Sequence, residues 1–319
     1  MKLIFMGTPD FAASALRALC KAGHEVLLVV TQPDKPKGRS GKLQPSPVKE
    51  VALEMNLPLF QPEKIRDEEG IGRIEELHAD ICVVAAFGQL LPKRVLDAPK
   101  YGCVNIHASL LPQYRGASPI QQAIADGERV TGITIMQMDV GMDTGEILMQ
   151  EQAEITDEDT AGTLFDRLAE KGATLIVKAL PLIEQGKLTP VKQDEALATK
   201  CGKITKEAGL IDWNGSAADI VNHIRAYTPW PTAHCMHEGK IMKILRAKAV
   251  TSEQLSSLHT RESNQAPQAG TVVSADKTGI VIKCADGAVR VLELQPEGKK
   301  PMDAAGFLNG HKLTVGALF

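Results

Sequence analysis

The chain has 319 residues, of which 44% are apolar, 24% charged and 4% aromatic, and its formal net charge is −3. This balance suits a soluble globular protein with room for two domains, and it excludes disordered, collagenous and coiled-coil chains. Averaged over the whole chain, the slight negative charge argues against a basic nucleic-acid-binding protein.

The first elements follow the order strand, turn, helix. Residues 2–6 form a short apolar run, after which Thr8, Pro9 and Asp10 supply an N-cap residue, a first-turn proline and a first-turn acid. Further apolar runs predict buried strands at 26–30, 81–85, 103–106 and 133–138. With a long helical pattern over 160–180, this alternation predicts a Rossmann-like α/β domain over 1–183 with a mostly parallel sheet.

Targeting and membrane segments are not expected. The N-terminal apolar run is shorter than the roughly 7–15 residues of a signal peptide. The longest uncharged apolar run, 81–92, is shorter than the roughly 20 residues that span a bilayer. The six cysteines lie far apart without a C-x-x-C pair, which favours buried free thiols over a zinc site or a disulfide framework. We therefore expect a cytoplasmic protein.

The C-terminal part has a different pattern. Residues 184–207 are polar and aperiodic, which predicts a linker, and Ser216 with Asp219 resembles a capping box that opens a short helix. Short β-like runs follow at 232–237, 240–249, 271–274, 280–284 and 289–294. These runs predict a small, OB-like β-barrel over 208–319, and the Ser/Gln-rich stretch 251–268 between two of them predicts a mobile loop.

Polar residues that could carry chemistry follow two of the predicted strands. Asn105 and His107 are two residues apart, so an extended strand places them on the same side. At the carboxyl end of a parallel strand they would lie where open α/β sheets bind ligands. Asp143 lies in a polar cluster after a later strand. An amide, an imidazole and a carboxylate that converge are a usable set for acyl transfer, since they can stabilise an oxyanion and orient the imidazole.

Each of these motifs has an alternative interpretation, and the predicted α/β fold argues against the protease one. A lone histidine after a strand is usually structural. Asp143-Thr144-Gly145 matches the aspartic-protease triplet, which needs two copies in an all-β fold or a dimer of one. Gly7-Thr8-Pro9-Asp10 departs from the dinucleotide-binding G-x-G-x-x-G, and the sequence has no G-x-S-x-G, Walker A or H-E-x-x-H motif.

Longer motifs connect these residues. GCVNIHASLLP at 102–112, with YRGA at 114–117 and PIQ at 119–121, resembles the formyltransferase signature, and TGITIMQMDVGMDTG at 131–145 resembles its second block. FMGTPDFA at 5–12, TQPD at 31–34, PSPVK at 45–49, IDW at 211–213 and RAYTPWP at 225–231 are similar to the methionyl-tRNA formyltransferase family. The resemblance covers essentially the whole chain. It departs at Gln113-Tyr114, where the family usually has Arg-Trp.

The resemblance implies roles for the polar cluster. The family moves a formyl group from 10-formyltetrahydrofolate to the α-amine of methionine on initiator tRNA. Asn105 and a protonated His107 would stabilise the formyl oxygen, while Asp143 pairs with His107 and assists proton transfer; no metal is expected. The residues implied to contact the folate are Phe87, Gly88, Gln89, Leu90, Ser109, Leu110, Leu111, Pro112 and Val140.

One segment of the acidic N-terminal part is strongly basic. Residues 32–49 hold five basic residues and one acid, a net charge of +4, with four prolines and two glycines that disfavour a helix or strand. A solvated loop is the ordinary interpretation of such a run. The resemblance implies that this basic loop (32–49) inserts at the tRNA acceptor end through Lys35, Lys37, Arg39 and Lys42, of which Arg39 and Lys42 are the main candidates.

The division of charge supports a nucleic-acid partner. Residues 200–319 hold 15 basic and 11 acidic residues, a net of +4, whereas residues 1–199 hold 21 and 28, a net of −7. The average of −3 therefore hides two local basic regions. We expect a monomer that binds methionyl initiator tRNA. The alternatives are a formyltransferase for a small amine, such as glycinamide ribonucleotide or an amino sugar, and a catalytically silent tRNA-binding module.

Overall fold

The chain forms two compact units. The computed structural model describes residues 1–36, 41–257 and 267–319. The first unit comprises Met1–Pro119, Val130–Glu154 and Leu164–Gly202, and the second comprises Ile120–Arg129, Ile155–Thr163 and Lys203–Phe319. No helix in these described ranges is long and apolar enough to cross a membrane. The boundaries proposed from the sequence, with a linker at 184–207, remain a prediction.

The N-terminal two thirds of the chain alternates strands and helices. The strands are β1 (Lys2–Gly7), β2 (Glu25–Val30), β3 (Lys35–Pro36), β4 (Leu43–Gln44), β5 (Leu59–Phe60), β6 (Ile81–Ala85), β7 (Cys103–His107), β8 (Arg115–Gly116), β9 (Val130–Gln137), β10 (Ile147–Glu154) and β11 (Lys200–Cys201). The helices are α1 (Asp10–Lys21), α2 (Pro47–Glu54), α3 (Glu68–Glu75), α4 (Lys93–Asp97), α5 (Pro119–Ala125) and α6 (Ala161–Glu184).

A seven-stranded sheet is the centre of the first unit. Its order is β10-β9-β7-β6-β1-β2-β5. Strands β5, β2, β1, β6 and β7 run parallel, and β9 is antiparallel to both of its neighbours, β7 and β10. All five residues of β6 are buried, as expected of a strand covered on both faces. The predicted Rossmann-like domain with a mostly parallel sheet is confirmed.

Helix α1 begins later than the sequence predicts. Its N-cap is Pro9, which is extended (φ −82°, ψ 179°), and no side chain caps the helix. Thr8, the predicted N-cap residue, instead donates its hydroxyl to the Phe87 carbonyl at 3.3 Å. Gly7 is required by a close approach, because a Cβ there would lie 2.9 Å from the Ala85 carbonyl oxygen. This turn therefore joins two neighbouring strand ends.

The second unit is built on an antiparallel sheet. Its strands are β12 (His234–His237), β13 (Lys240–Val250), β14 (Val272–Asp276), β15 (Gly279–Lys283), β16 (Ala288–Pro296) and β17 (Met302–Asp303), and its helices are α7 (Ala217–Ala226), α8 (Ser252–Ser257) and α9 (Ala304–Gly310). The strand order is β12-β13-β16-β15-β14, with β17 beside β16. Its buried core includes Trp213, Ile244 and Phe307. The predicted small C-terminal β domain is confirmed.

The predicted cap of α7 is also confirmed. The Ser216 hydroxyl accepts the Asp219 backbone N–H at 3.0 Å. Such a cap stabilises a helix by about 1 kcal/mol relative to alanine.

Three segments predicted to be irregular contain short elements. In the basic loop, β3 pairs antiparallel with β4, and α2 begins at Pro47. Between 251 and 268 the chain forms α8, while residues 258–266 lie outside the described residues. The predicted linker 184–207 contains the 3-10 turn Glu195–Leu197 and strand β11. Strand β11 is formed by hydrogen bonds to β8, which is distant in sequence, and local periodicity does not report such partners.

Candidate active site

Three polar side chains converge at the carboxyl end of β7. Asn105 and His107 lie on this strand, and Asp143 lies in the loop between β9 and β10. The Asn105 amide nitrogen is 3.5 Å from Asp143 Oδ1, and His107 Nδ1 is 3.8 Å from Asp143 Oδ2. The structure thus brings together the amide, imidazole and carboxylate that the sequence analysis grouped, although their catalytic roles remain a prediction.

A backbone carbonyl group fixes the orientation of the His107 ring. His107 is 5% exposed, and Nε2 lies 2.9 Å from the Tyr114 carbonyl oxygen. Because a carbonyl can only accept, Nε2 carries the hydrogen in this bond. Nδ1 is therefore the nitrogen that faces Asp143. Tyr114 presents its carbonyl from a left-handed backbone conformation, with φ at 60°.

Asp143 is held by backbone groups. Its Oδ2 accepts the Gly116 N–H at 2.8 Å, and its own φ is 55°. Gly116 has a φ of 121°, and a Cβ there would overlap the Cys201 carbonyl oxygen. Only glycine fits this position without a shift of the chain. A main-chain amide is a fixed donor, so it holds the carboxylate at a defined place.

The loop that carries Asp143 is also ordered by its own side chains. Asp139 Oδ1 accepts the Gly141 N–H at 2.9 Å and the Thr144 hydroxyl at 2.7 Å. Gly145 lies against the Gln137 carbonyl, which leaves no space for a Cβ. Hydrogen bonds of an aspartate to groups two or more residues ahead are typical of tight turns. The carboxylate therefore stands on a constrained turn.

The segment 109–112, implied in folate binding, is fastened to the sheet. The Thr134 hydroxyl donates to the Ser109 carbonyl at 2.7 Å and accepts the Leu111 N–H at 3.1 Å. The Ser109 hydroxyl donates to the Gln113 carbonyl at 2.6 Å. Ser109 and Leu111 are buried, whereas Leu110 and Pro112 are partly exposed. The side chain of Ser109 thus stabilises its own loop.

The other residues implied in folate binding differ in exposure. Phe87 packs into the hydrophobic core, and Gln89 Oε1 accepts the Ile65 N–H at 2.8 Å. By contrast, Leu90 and Val140 are 69% and 72% exposed. These two offer apolar side-chain surface, while Gly88, with φ at 82°, makes the turn after Phe87.

The described part of the basic loop is held at its base. Asp34 accepts hydrogen bonds from Lys49 Nζ at 2.7 Å and from the Gln61 amide at 2.8 Å, and these bonds lower the pKa of the Asp34 carboxyl. The loop's single acid is therefore paired with Lys49. Lys35 and Lys42 are exposed. The predicted contacts Lys37 and Arg39 lie outside the described residues.

Sequence reasoning missed a group of residues behind the site. The Gln193 amide donates to the Asp143 carbonyl at 2.8 Å, and its Oε1 accepts Arg115 Nε at 3.0 Å. Arg115 also forms two hydrogen bonds to the Glu195 carboxylate, at 2.9 and 2.8 Å. These bonds raise the pKa of Arg115 and lower that of Glu195. Gln193 and Glu195 come from the aperiodic stretch 184–207, which gave no signal of such contacts.

In the described residues, no group of three or more His, Cys, Asp or Glu side chains could hold a metal ion. The converging groups are an amide, an imidazole and a carboxylate at the carboxyl edge of a Rossmann-like sheet, and the chain has a separate antiparallel β unit. This combination is typical of group-transfer enzymes of the acyl-transfer type.

Family models specify the class further. A formyl transferase model matches residues 1–180, and a formyl transferase C-terminal domain model matches residues 203–312. The chain belongs to the formyl transferase family. It is 46% identical over 318 residues to the methionyl-tRNA formyltransferase of Lachnospira eligens, covering 100% of this chain and 99% of that protein.

Solved structures share the fold. WlaRD, a sugar 3N-formyl transferase studied in the presence of dTDP and 5-N-formyl-THF, has a TM-score of 0.65 at 19% identity, over 94% of this chain and 99% of WlaRD. HypX from Aquifex aeolicus in complex with tetrahydrofolic acid has a TM-score of 0.60 at 16% identity. That match covers 100% of this chain but 51% of HypX, so the chain spans about half of that protein. At these identities the likeness establishes the fold alone.

Proposed function

We propose that this enzyme transfers a formyl group from 10-formyltetrahydrofolate to the α-amino group of methionyl initiator tRNA, giving N-formylmethionyl-tRNA for translation initiation. The observation that carries the proposal is the 46% identity along the whole chain to a methionyl-tRNA formyltransferase. The convergence of Asn105, His107 and Asp143 supports it, because these groups suit attack of an amine on a formyl carbon.

The reaction exchanges one C–N bond for another. The neutral α-amine attacks the formyl carbon, a new C–N bond forms, and the bond from that carbon to N10 of the folate breaks. Negative charge develops on the formyl oxygen meanwhile. Asn105 Nδ2 and a protonated His107 would donate to this oxygen, and preorganised donors of this kind supply a large share of the rate enhancement in acyl transfer.

Asp143 completes the set in two ways. Its carboxylate would pair with His107, whose Nδ1 it faces at 3.8 Å, while the charge on the formyl oxygen develops. It also assists the transfer of the proton that leaves the amine and finally reaches N10 of the folate leaving group. Since Nε2 donates to the Tyr114 carbonyl, the proton that takes part in the reaction would be on Nδ1. The scheme needs no covalent enzyme intermediate.

A folate donor is supported by the chemistry of the surrounding loops. The exposed Leu90 and Val140 each offer apolar side-chain surface for a pterin ring, and Thr134 holds the 109–112 backbone in a fixed conformation. WlaRD was studied with 5-N-formyl-THF, and HypX forms a complex with tetrahydrofolic acid. We assign the site of the formylated nitrogen to residues 87–90, 109–112 and 140.

The tRNA would be bound by two basic regions. The basic loop supplies Lys35, Lys37, Arg39 and Lys42, and the second is the C-terminal domain, 208–319, within the stretch whose net charge is +4. Phosphate contacts by lysine and arginine supply most of the non-specific affinity for nucleic acid. We propose 1–183 as the catalytic domain, 184–207 as the linker, and a cytoplasmic monomer as the active species.

The test is transfer of radiolabelled formyl from 10-formyltetrahydrofolate to four acceptors: methionyl initiator tRNA, methionyl elongator tRNA, free methionine and a nucleotide-linked amino sugar. The proposal predicts label in the initiator tRNA far above that in the other three. Preferential labelling of the amino sugar would instead assign the chain to small-amine formylation. Binding of initiator tRNA without transfer to any acceptor would identify a catalytically silent tRNA-binding module.

A further inference from the structure

The segment 191–201 lies directly against the two loops that form the site. Val191 exchanges both backbone hydrogen bonds with Ile147, at 2.8 and 2.9 Å, beside the loop that carries Asp143. Strand β11 pairs parallel with β8, and the Thr199 hydroxyl accepts the Tyr114 N–H at 2.8 Å. A stretch that the sequence suggests is a linker thus adds backbone structure to the catalytic edge.

Gln193 is the side chain of this segment that reaches the catalytic loop. It is 5% exposed, and its Nε2 donates to the Asp143 carbonyl at 2.8 Å and to the Gly145 carbonyl at 2.7 Å. Its Oε1 accepts Arg115 Nε at 3.0 Å. Both amide hydrogens and the amide oxygen are therefore used. A glutamate has the same shape, but its ionised carboxylate has no hydrogen to donate to these two carbonyl groups.

Arg115 determines which way the Gln193 amide points. Arg115 is 4% exposed, and it can only donate, so the atom of Gln193 that it contacts must be the oxygen. The Glu195 carboxylate holds the other edge of the guanidinium in a two-bond, planar contact. The Glu195 carboxylate thus holds the Arg115 guanidinium in place, and the guanidinium in turn sets the orientation of the Gln193 amide.

Gln193, Arg115 and the neighbouring Gly116 together hold both the main-chain carbonyl and the carboxylate of Asp143. Gln193 holds the main-chain carbonyl of Asp143, and the N–H of Gly116, which directly follows Arg115, holds its carboxylate at 2.8 Å. We propose that Gln193, oriented by Arg115 and Glu195, is a positioning residue that sets the Asp143 carboxylate against His107 and Asn105. Gln193 does not touch the reacting atoms. Because its effect is measured by formyl transfer, this inference rests on the proposed function.

The test compares Gln193→Ala and Gln193→Glu with the wild-type chain. Misplacement of a reacting group by about 1 Å costs roughly 10²-fold in rate. We expect kcat to fall on the order of 10–100-fold in both variants, while KM for the formyl donor and for the tRNA stays within about twofold. Glu195→Gln should have a smaller effect, because a neutral amide can still accept from Arg115. The exposed neighbour Lys192, changed to Ala, is the matched control and should leave kcat unchanged.

The readouts separate positioning from a general structural role. In folded Gln193→Ala and Gln193→Glu, the loss should fall on kcat and leave KM for both substrates within the same twofold limit, because Gln193 acts through Asp143 and does not touch the substrates. Wild-type kcat in Gln193→Ala and Gln193→Glu would overturn the inference. A fall in activity that matches the fall in folded protein in Gln193→Glu and in Glu195→Gln would overturn it too. If Gln193→Ala does not fold, Gln193→Glu and Glu195→Gln decide the question. An inactive wild-type chain would overturn the proposed function instead.

Discussion

The catalytic edge and the basic loop of the first unit are built in different ways. At the catalytic edge, His107 and Arg115 are nearly buried, and Asp143 is bonded through its carboxylate and its carbonyl. In the basic loop, Lys35 and Lys42 are exposed, and the described residues are held by the short β3–β4 pairing and by the Asp34–Lys49 bond at the base of the loop.

This difference follows from what each region has to do. Oxyanion stabilisation and proton transfer depend on distances set within a few tenths of an ångström, which requires packed and hydrogen-bonded side chains. Attraction of phosphate groups depends on charge near a surface and tolerates variable geometry. We therefore expect substitutions at the catalytic edge to lower turnover, and substitutions in the basic loop to weaken binding of tRNA.

The largest effects are expected at the three converging side chains. Asn105→Ala and His107→Ala should each lower kcat on the order of 10²–10³-fold, the usual loss for one oxyanion donor. Asp143→Ala should also lower kcat severely, because His107 loses the carboxylate that it faces. Steady-state formyl transfer measures kcat, and circular dichroism should show folded protein in each case. Near wild-type turnover in any of the three variants would remove that residue from the mechanism. It would also weaken the contrast between the catalytic edge and the basic loop.

A substitution at Gly116 should be the next most severe. Gly116→Ala places a Cβ at a φ of 121° and against the Cys201 carbonyl oxygen, so the chain must shift and the N–H that holds Asp143 moves with it. We expect kcat to fall at least about 10-fold and the free energy of unfolding to fall by about 1–3 kcal/mol. Gly72→Ala is the matched control. Gly72 lies in α3 with open space around its Cβ position, so alanine should stabilise the chain slightly. Equal kcat and equal free energy of unfolding in the two variants would contradict the requirement for glycine at position 116.

In the basic loop, the expected change is in binding. Replacement of both Arg39 and Lys42 by Ala should raise KM for methionyl initiator tRNA and leave KM for the folate donor unchanged. The slope of log affinity against log salt should flatten by up to about 0.7–0.9 for each lost phosphate contact. The exposed Lys187, changed to Ala, controls for loss of one positive charge elsewhere. Equal loss of folate affinity would contradict this division of roles.

The smallest effect is expected at the base of the basic loop. Bonds from Lys49 and Gln61 lower the pKa of Asp34, so the ionised pair stabilises the fold above the ordinary aspartate pKa of about 3.9. This contribution is lost as pH falls through the lowered pKa of the folded state. Asp34→Asn should therefore melt below the wild type at pH 6, and the gap should close in strongly acidic buffer. A gap independent of pH would indicate that the ion pair contributes nothing.

The sequence predicts the fold and the converging residues for clear physical reasons. The run at 103–106 is mostly apolar, as suits a buried strand, and it forms β7 between β6 and β9 in the sheet. The period of two along that strand puts Asn105 and His107 on the side that faces Asp143. Ser216 caps α7 because its hydroxyl and the following acid have the required spacing.

The sequence does not reveal the supporting network. Gln193 and Glu195 lie in a polar stretch without periodicity. Both bond to Arg115, which is 78 residues from Gln193 and 80 residues from Glu195 along the chain. The start of α1 is misplaced for the same reason, since Thr8 bonds to the distant Phe87 carbonyl instead of capping the helix. Contacts of this kind depend on the assembled sheet, and local patterns of hydrophobicity do not encode them.

The contrast between the two regions is tested most directly by saturation curves for methionyl initiator tRNA at a saturating concentration of formyl donor. The curves are measured for the wild type, for Asp143→Asn and for the Arg39→Ala, Lys42→Ala double variant. We predict that Asp143→Asn lowers kcat and leaves KM for the tRNA within about twofold. The double variant should raise KM and leave kcat within the same limit. Loss of kcat in the double variant, or a raised KM with unchanged kcat in Asp143→Asn, would contradict this prediction.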